Sequence, residues 1–174
     1  MAAVPVLDIE LSSATLEDEI VGLFDLLREP LLRYMASLGL PVADGEEIVQ
    51  EVFLALFQHL RRGGDRANLR GWVFRVAHNL GLKRRSRASR VTTVEWEWLC
   101  DPAPGPDEQF SKRETERRVR AVLRALPEQD RRCLMLRAEG LRYREIAGTL
   151  AMSLGAVSVS LARSLARMAR ATDR

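Results

Sequence analysis

Apolar residues recur along most of the 174-residue chain at the three-to-four spacing of amphipathic helices, and alternating strand patterns are nearly absent. Ile20, Leu23, Phe24 and Leu27 form the first stripe, with Thr15 and Asp18 placed to cap the helix that carries it. Pro30 predicts a bend or a new first turn before Leu31, Leu32 and Met35 resume the pattern. Gly39-Leu-Pro41 then interrupts the chain. Asp44 and Glu47 have the spacing of a capping box and open a helix with Ile48, Val49, Val52, Leu56 and Phe57 on one side. Arg61-Arg-Gly-Gly-Asp65 reads as a loop, and a further helix buries Leu69, Trp72, Val73, Val76 and Leu80 before running into Lys83-Arg-Arg-Ser-Arg87.

From about residue 91 to 110 the pattern changes: three prolines, several acids, Trp96 and Trp98, and no helical stripe. Beyond it, Ser111 and Glu114 have capping-box spacing, and helices are predicted at about 112–125, 128–138, 142–150 and 154–169. Gly140 and the Ala151-Met-Ser153 turn separate the last three. The expected fold class is all-α: two small helical domains, residues 1–90 and 112–174, joined by a flexible linker over 91–111. The C-terminal domain is expected to carry a helix-turn-helix.

Charge sharpens the division. Residues 1–60 hold eleven acids and two arginines, a net of −9, whereas residues 61–90 hold ten basic residues and one acid, a net of +9. Such a juxtaposition suggests two partners of opposite charge. Cys100 and Cys133 lie far apart with no CxxC pair, which argues against a disulfide framework or a zinc site and fits a reducing compartment. The N-terminus lacks the basic start of a secretory signal. The longest uncharged run, Ile146 to Ala162, is too short for a membrane span. No membrane insertion and a cytoplasmic location are expected.

Three constellations could carry function. In Tyr143-Arg-Glu-Ile-Ala-Gly-Thr-Leu-Ala-Met-Ser-Leu-Gly-Ala-Val-Ser, Ile146, Ala147 and Leu150 face inward on one helix. Ser153 caps a second helix with Val157 and Leu161 inside, and that helix can enter a major groove with its exposed N-terminal residues against base edges. Arg75, Asn79 and Lys83, four residues apart, form a polar helix face opposite Trp72 and Val76. Asn can pair with base edges, and basic side chains neutralise phosphates. The helix from Asp44 gathers Glu47, Gln50, Glu51 and Leu54, a partly apolar acidic face suited to a basic protein surface. A helical di-metal site would need Glu-x-x-His repeats, which are missing. No phosphate-cradling loop or nucleophile–base pair points to catalysis, and no cofactor is implied. Cys133, in an apolar helical stretch, is expected in the core.

Taken in order, Asp44-Gly-Glu-Glu-Ile-Val-Gln-Glu-Val-Phe, Leu69-Arg-Gly-Trp-Val-Phe-Arg-Val-Ala-His-Asn79, Leu126-Pro-Glu-Gln-Asp-Arg-Arg and Gly140-Leu-Arg-Tyr-Arg-Glu-Ile-Ala147 resemble the extracytoplasmic-function sigma factors, over about residues 20–90 and 115–170. The resemblance implies a transcription initiation factor that binds core RNA polymerase, through its beta-prime and beta subunits, and promoter DNA. An anti-sigma factor is an implied further partner. It places Asp44, Glu47, Gln50, Glu51 and Leu54 against the polymerase clamp. Arg66, Asn68, Arg70, Arg75, Asn79 and Lys83 would open and read the minus-ten element. Tyr143, Arg144, Ser153, Ala156, Ser158, Ser160, Arg163 and Arg167 would hold the minus-thirty-five element. Where such recognition helices commonly carry Lys and then Ser-Arg, this chain has Ala156-Val-Ser-Val-Ser160, so Ser158 and Ser160 stand where phosphate-binding charges are expected. Competing functions are a stand-alone helix-turn-helix regulator, which has no use for the acidic face, and a helical metalloenzyme, which lacks ligands.

Overall fold

The structure, a computed structural model, describes the backbone of residues 7–87 and 106–172, with side chains from residue 16 to 87 and from 114 to 171. Among the described residues there are seven α-helices and no strand: α1 (Leu7–Ser37), α2 (Val42–Arg61), α3 (Leu69–Arg87), α4 (Pro106–Ala125), α5 (Glu128–Ala138), α6 (Tyr143–Leu150) and α7 (Leu154–Thr172). The all-α expectation holds. Most of the expected linker lies outside the described residues, and its last part belongs to α4, which begins at Pro106 instead of Ser111.

Two other helix starts differ from expectation. α1 runs from Leu7 through the Thr15 position and straight through Pro30. A proline costs a helix one hydrogen bond and crowds the preceding turn. The surrounding Leu27, Leu31, Leu32, Tyr34 and Met35 are all buried and hold the helix against its neighbours. α2 starts at Val42 after Pro41, so Asp44 lies inside the first turn and forms no capping box with Glu47. Both carboxylates point instead at Arg84 of α3.

α2 packs against α1 and α3. Ile48, Val49, Val52, Phe53, Leu56 and Leu60 fill the space between them, and Phe53 meets Phe24 edge-on with ring centroids 5.0 Å apart. The inner face of α3 is rotated by about one residue from the predicted stripe. Val73, Phe74, Ala77 and His78 are buried, while Leu69, Trp72, Val76 and Leu80 only flank the core. Gly81 lets α3 approach α1, since a Cβ there would lie 3.0 Å from Leu38 and 3.2 Å from the Met35 sulfur.

In the second half, α7 packs on α4, α5 and α6. Cys133, Leu136, Leu141, Ile146, Val157 and Leu161 form the centre, so Cys133 is in the core as expected. Gly140, at φ +84°, ends the turn after α5 in a conformation that a side chain would resist. The two halves also touch: α3 lies on α6, and α1 reaches α5.

Burial imposes one titration. The Tyr34 hydroxyl and His78 Nδ1 share a 2.8 Å hydrogen bond inside the first half. Burial, with the Arg132 charge adding to it, pushes the imidazole down to about 4. The folded state therefore holds His78 neutral, and its contribution is complete above the unfolded value near 6.5. As pH falls from there toward about 4, the unfolded chain binds the proton first and stability declines. Chemical denaturation followed by circular dichroism should show this loss across that window, and His78→Gln should flatten it.

Candidate nucleic-acid and partner interface

The acidic face is built on α2 and anchored from α3. Glu47, Gln50 and Glu51 are exposed, Leu54 keeps 60% of its surface in solvent, and Asp44 is half-buried. Arg84 reaches across with Nη1 on Asp44 at 2.9 Å and Nη2 on Glu47 at 2.8 Å, and it stands 3.9 Å from Glu51. Those carboxylates hold the guanidinium pKa above its ordinary value, the hydrogen bond to Glu47 most of all. Glu51 is thus the least engaged of the three. Arg84 belongs to a run of basic residues with no visible phase, so its partners on α2 are not legible in the sequence.

The basic block splits into scaffold and surface. Arg66 forms an ion pair with Glu19, and Arg70 donates to the Glu139 carbonyl in a half-buried contact. Asn68 uses its side-chain oxygen to accept the Gly71 N–H at 3.0 Å, which caps α3. These three expected base or phosphate contacts are therefore engaged inside the molecule. Arg75, Asn79 and Lys83 are exposed on one outward face of α3. Beside them His59 stacks on Trp72, with centroids 4.9 Å apart and planes 24° apart, a pairing invisible to periodicity.

The helix-turn-helix consists of α6, a turn, and α7. Glu145 accepts the Arg142 N–H at 2.6 Å and fixes the start of α6. Ala151 sits at φ +52° in the turn, a left-handed conformation that costs an alanine of order 1 kcal/mol. The Ser153 hydroxyl accepts the Ala156 N–H at 3.1 Å and caps α7. Arg144, Ala156, Ser158 and Arg167 are exposed, and Tyr143 is 39% exposed with the Arg137 guanidinium over its ring.

Two residues of α7 expected at DNA are engaged within the fold. Ser160 is 2% exposed and donates to Asp130 Oδ1 at 2.8 Å, so it faces α5 and not a DNA groove. Arg163 engages both oxygens of the same carboxylate, at 2.9 and 2.7 Å. The Asp130 carboxyl is held below its ordinary range, by the Arg163 hydrogen bonds first and the Ser160 hydroxyl next. Val157, Ser160, Leu161 and Ser164 form the inner stripe of α7.

The halves meet at a seam. Arg33 donates from Nε and Nη2 to the two oxygens of Glu139, at 3.0 and 2.7 Å, while Arg85 bonds Glu128 at 2.5 Å. A cavity of about 390 Å³ lies there, with Asn68, Trp72 and Arg75 on one wall and Arg144 and Thr149 on the other. Arg75 of α3 and Arg144 of α6 thus share one cavity, whose lining includes neither Asn79 and Lys83 nor any residue of α7. Among the described residues no cluster of His, Cys, Asp or Glu forms a metal site, and no single helix is long and apolar enough to cross a membrane.

Comparison with known proteins gives the family. Residues 23–91 match Sigma-70 region 2, and residues 116–168 match Sigma-70, region 4. The ECF RNA polymerase sigma factor SigD of Mycobacterium tuberculosis is 30% identical, over 83% of this chain and 72% of its own length. The chain belongs to the extracytoplasmic-function sigma factors. A probable RNA polymerase sigma factor of Xanthomonas campestris, RfaY, is 32% identical over 72% of the chain, but the chain spans only 33% of that relative. The structure of CnrH in complex with the cytosolic domain of CnrY superposes with a TM-score of 0.62, at 22% identity, over 92% of this sigma factor and 94% of CnrH.

Two outcomes follow from the buried carboxylates. Glu139→Gln should weaken docking of the two halves by about 1–2 kcal/mol, since Arg33 loses its counter-charge and one of its two accepting oxygens, and small-angle scattering should show a larger radius of gyration. Ser160→Arg should destabilise the second half by about 2–4 kcal/mol, because it forces a guanidinium into the packed α5–α7 interface. Ser158→Lys, on the exposed side, should leave the melting curve unchanged.

Proposed function

We propose that this sigma factor binds core RNA polymerase through the outer face of α2 and directs it to promoters. α3 would open and read the minus-ten element, and α7 would lie in the major groove of the minus-thirty-five element. Such work places the protein in the cytoplasm and requires no catalysis of its own. The observation that carries the reading is that Arg75, Asn79 and Lys83 are exposed on one face of α3 while Glu47 and Glu51 are exposed on α2. One helix pair thereby offers charges of both signs on neighbouring surfaces, as a factor bridging a basic protein surface and a nucleic acid requires. Family membership supports the assignment of each face, and the α6–α7 geometry supports groove entry.

Steering and docking by exposed carboxylates are sensitive to charge reversal. Glu51 is the variant of choice because Arg84 holds it least, so changing it leaves the α2–α3 clamp in place. Glu51→Lys should weaken binding to core polymerase by about 2 kcal/mol, some thirtyfold in affinity, with helix content unchanged. Asn79→Ala should leave that affinity intact and lower open-complex formation at a cognate promoter. Wild-type core binding by Glu51→Lys, measured by fluorescence anisotropy, would refute the assignment of the acidic face.

A further inference from the structure

The outward surface of α7 is unusual for a helix expected to meet a polyanion. Gly155, Val159, Ala162 and Ala166 point directly away from the inner stripe of Val157, Ser160, Leu161 and Ser164. Val159 is 62% exposed and Leu154, at the N-terminus, 48%. No charged residue occurs between Leu154 and Ala162. The first cation, Arg163, is held by both oxygens of Asp130. The next, Arg167, lies eight residues beyond Val159, about 12 Å further along the axis. The one α7 guanidinium within a side chain's length of the base pairs that Val159 would touch is that of Arg163, one turn further on and held on Asp130.

Base edges in the major groove offer two kinds of contact. Guanine presents two acceptors suited to a bidentate Arg or Lys, whereas thymine presents a 5-methyl group suited to an apolar side chain. The N-terminal half of α7 is equipped for the second kind only, with the Ser158 hydroxyl able to serve any base as donor or acceptor. Gly155 has open space around it and lets the helix backbone come close to the groove floor. Exposed Arg142, Arg144, Arg167 and Arg170 frame the strip, and α7 contains no acidic residue, so charge complementarity selects duplex DNA as its occupant.

We propose that α7 reads its upstream promoter element through thymine methyl groups, with Val159 as the central contact, and not through guanidinium–guanine pairs. The proposal rests on the promoter-directing function put forward above and specifies how its upstream half achieves sequence preference. Phosphate attraction comes from the framing arginines and is indifferent to sequence. Discrimination comes from burying single methyl groups and is correspondingly shallow, with each one altering affinity by about fourfold.

The test uses the full chain assembled with core polymerase. Duplexes randomised in the upstream element are selected for binding, and each thymine of the winning sequence is replaced in turn by deoxyuridine, which removes only the methyl group. One or two replacements should weaken binding by about fourfold each. In Val159→Ser, a change at an exposed position that leaves helix content intact, the difference between thymine and deoxyuridine should vanish at one of them. Deoxyuridine substitution without effect would overturn the proposal, as would selected elements whose binding is abolished by blocking guanine N7. Loss of core-polymerase affinity in Val159→Ser, with no dependence on upstream sequence, would show that the strip is a protein contact and would equally overturn it. Failure of the wild-type chain to assemble with core polymerase or to give promoter-dependent transcripts would instead sink the underlying function.

Discussion

A carboxylate almost removed from water must be matched by cations, and Glu139 shows how much follows from that requirement. Its side chain is paired at both oxygens with Arg33 of α1, and its backbone carbonyl takes a hydrogen bond from Arg70 of α3. The end of α5 is therefore fixed to two helices of the other half. Gly140 turns the chain immediately afterwards, and α6 is laid along α3. The placement of the helix-turn-helix beside α3, and with it the seam cavity, is held in part by this one buried charge.

The charge map of the chain reads differently once the contacts are known. A net of +9 over residues 61–90 suggests a nucleic-acid surface, yet Arg66, Arg70, Arg84 and Arg85 all make bonds within the protein. Part of the basic block serves to hold the acidic first half and the second half in place. Arg75, Asn79 and Lys83 are what remains on one outward face. The same division applies on α7, where Asp130 engages the half-exposed Arg163 and the buried Ser160.

Helices whose apolar residues alternate cleanly with polar ones were legible from the sequence. α2, α6 and the core of α7 fall where periodicity puts them, α5 where its apolar run Cys133-Leu-Met-Leu136 puts it, and Ser153 caps α7 as its position suggests. The misreadings share a cause: polar side chains whose partners lie far along the chain. Asp44 and Glu47 have capping-box spacing, but Arg84, some forty residues later, takes both carboxylates. Ser160 looks like a surface residue until Asp130, thirty residues earlier, is found beside it. α1 continues through Pro30 because tertiary burial of its leucines outweighs a local cost that the sequence displays openly. The buried face of α3 is rotated from the predicted stripe because Phe74, Ala77, His78 and Gly81 mix apolar, polar and side-chain-free positions.

The seam also has a thermodynamic meaning. Arg75 and Arg144 line opposite walls of one cavity, so a ligand too large for that cavity that must touch both side chains would bind only a population in which the halves have parted. Its apparent affinity is the intrinsic affinity scaled by the open fraction. By reciprocity, whatever holds the halves apart raises affinity for such a ligand without touching it. The grip of Arg33 on Glu139 is in that sense a set point: it tunes, from a distance, how readily the molecule offers Arg75 and Arg144 together to such a ligand.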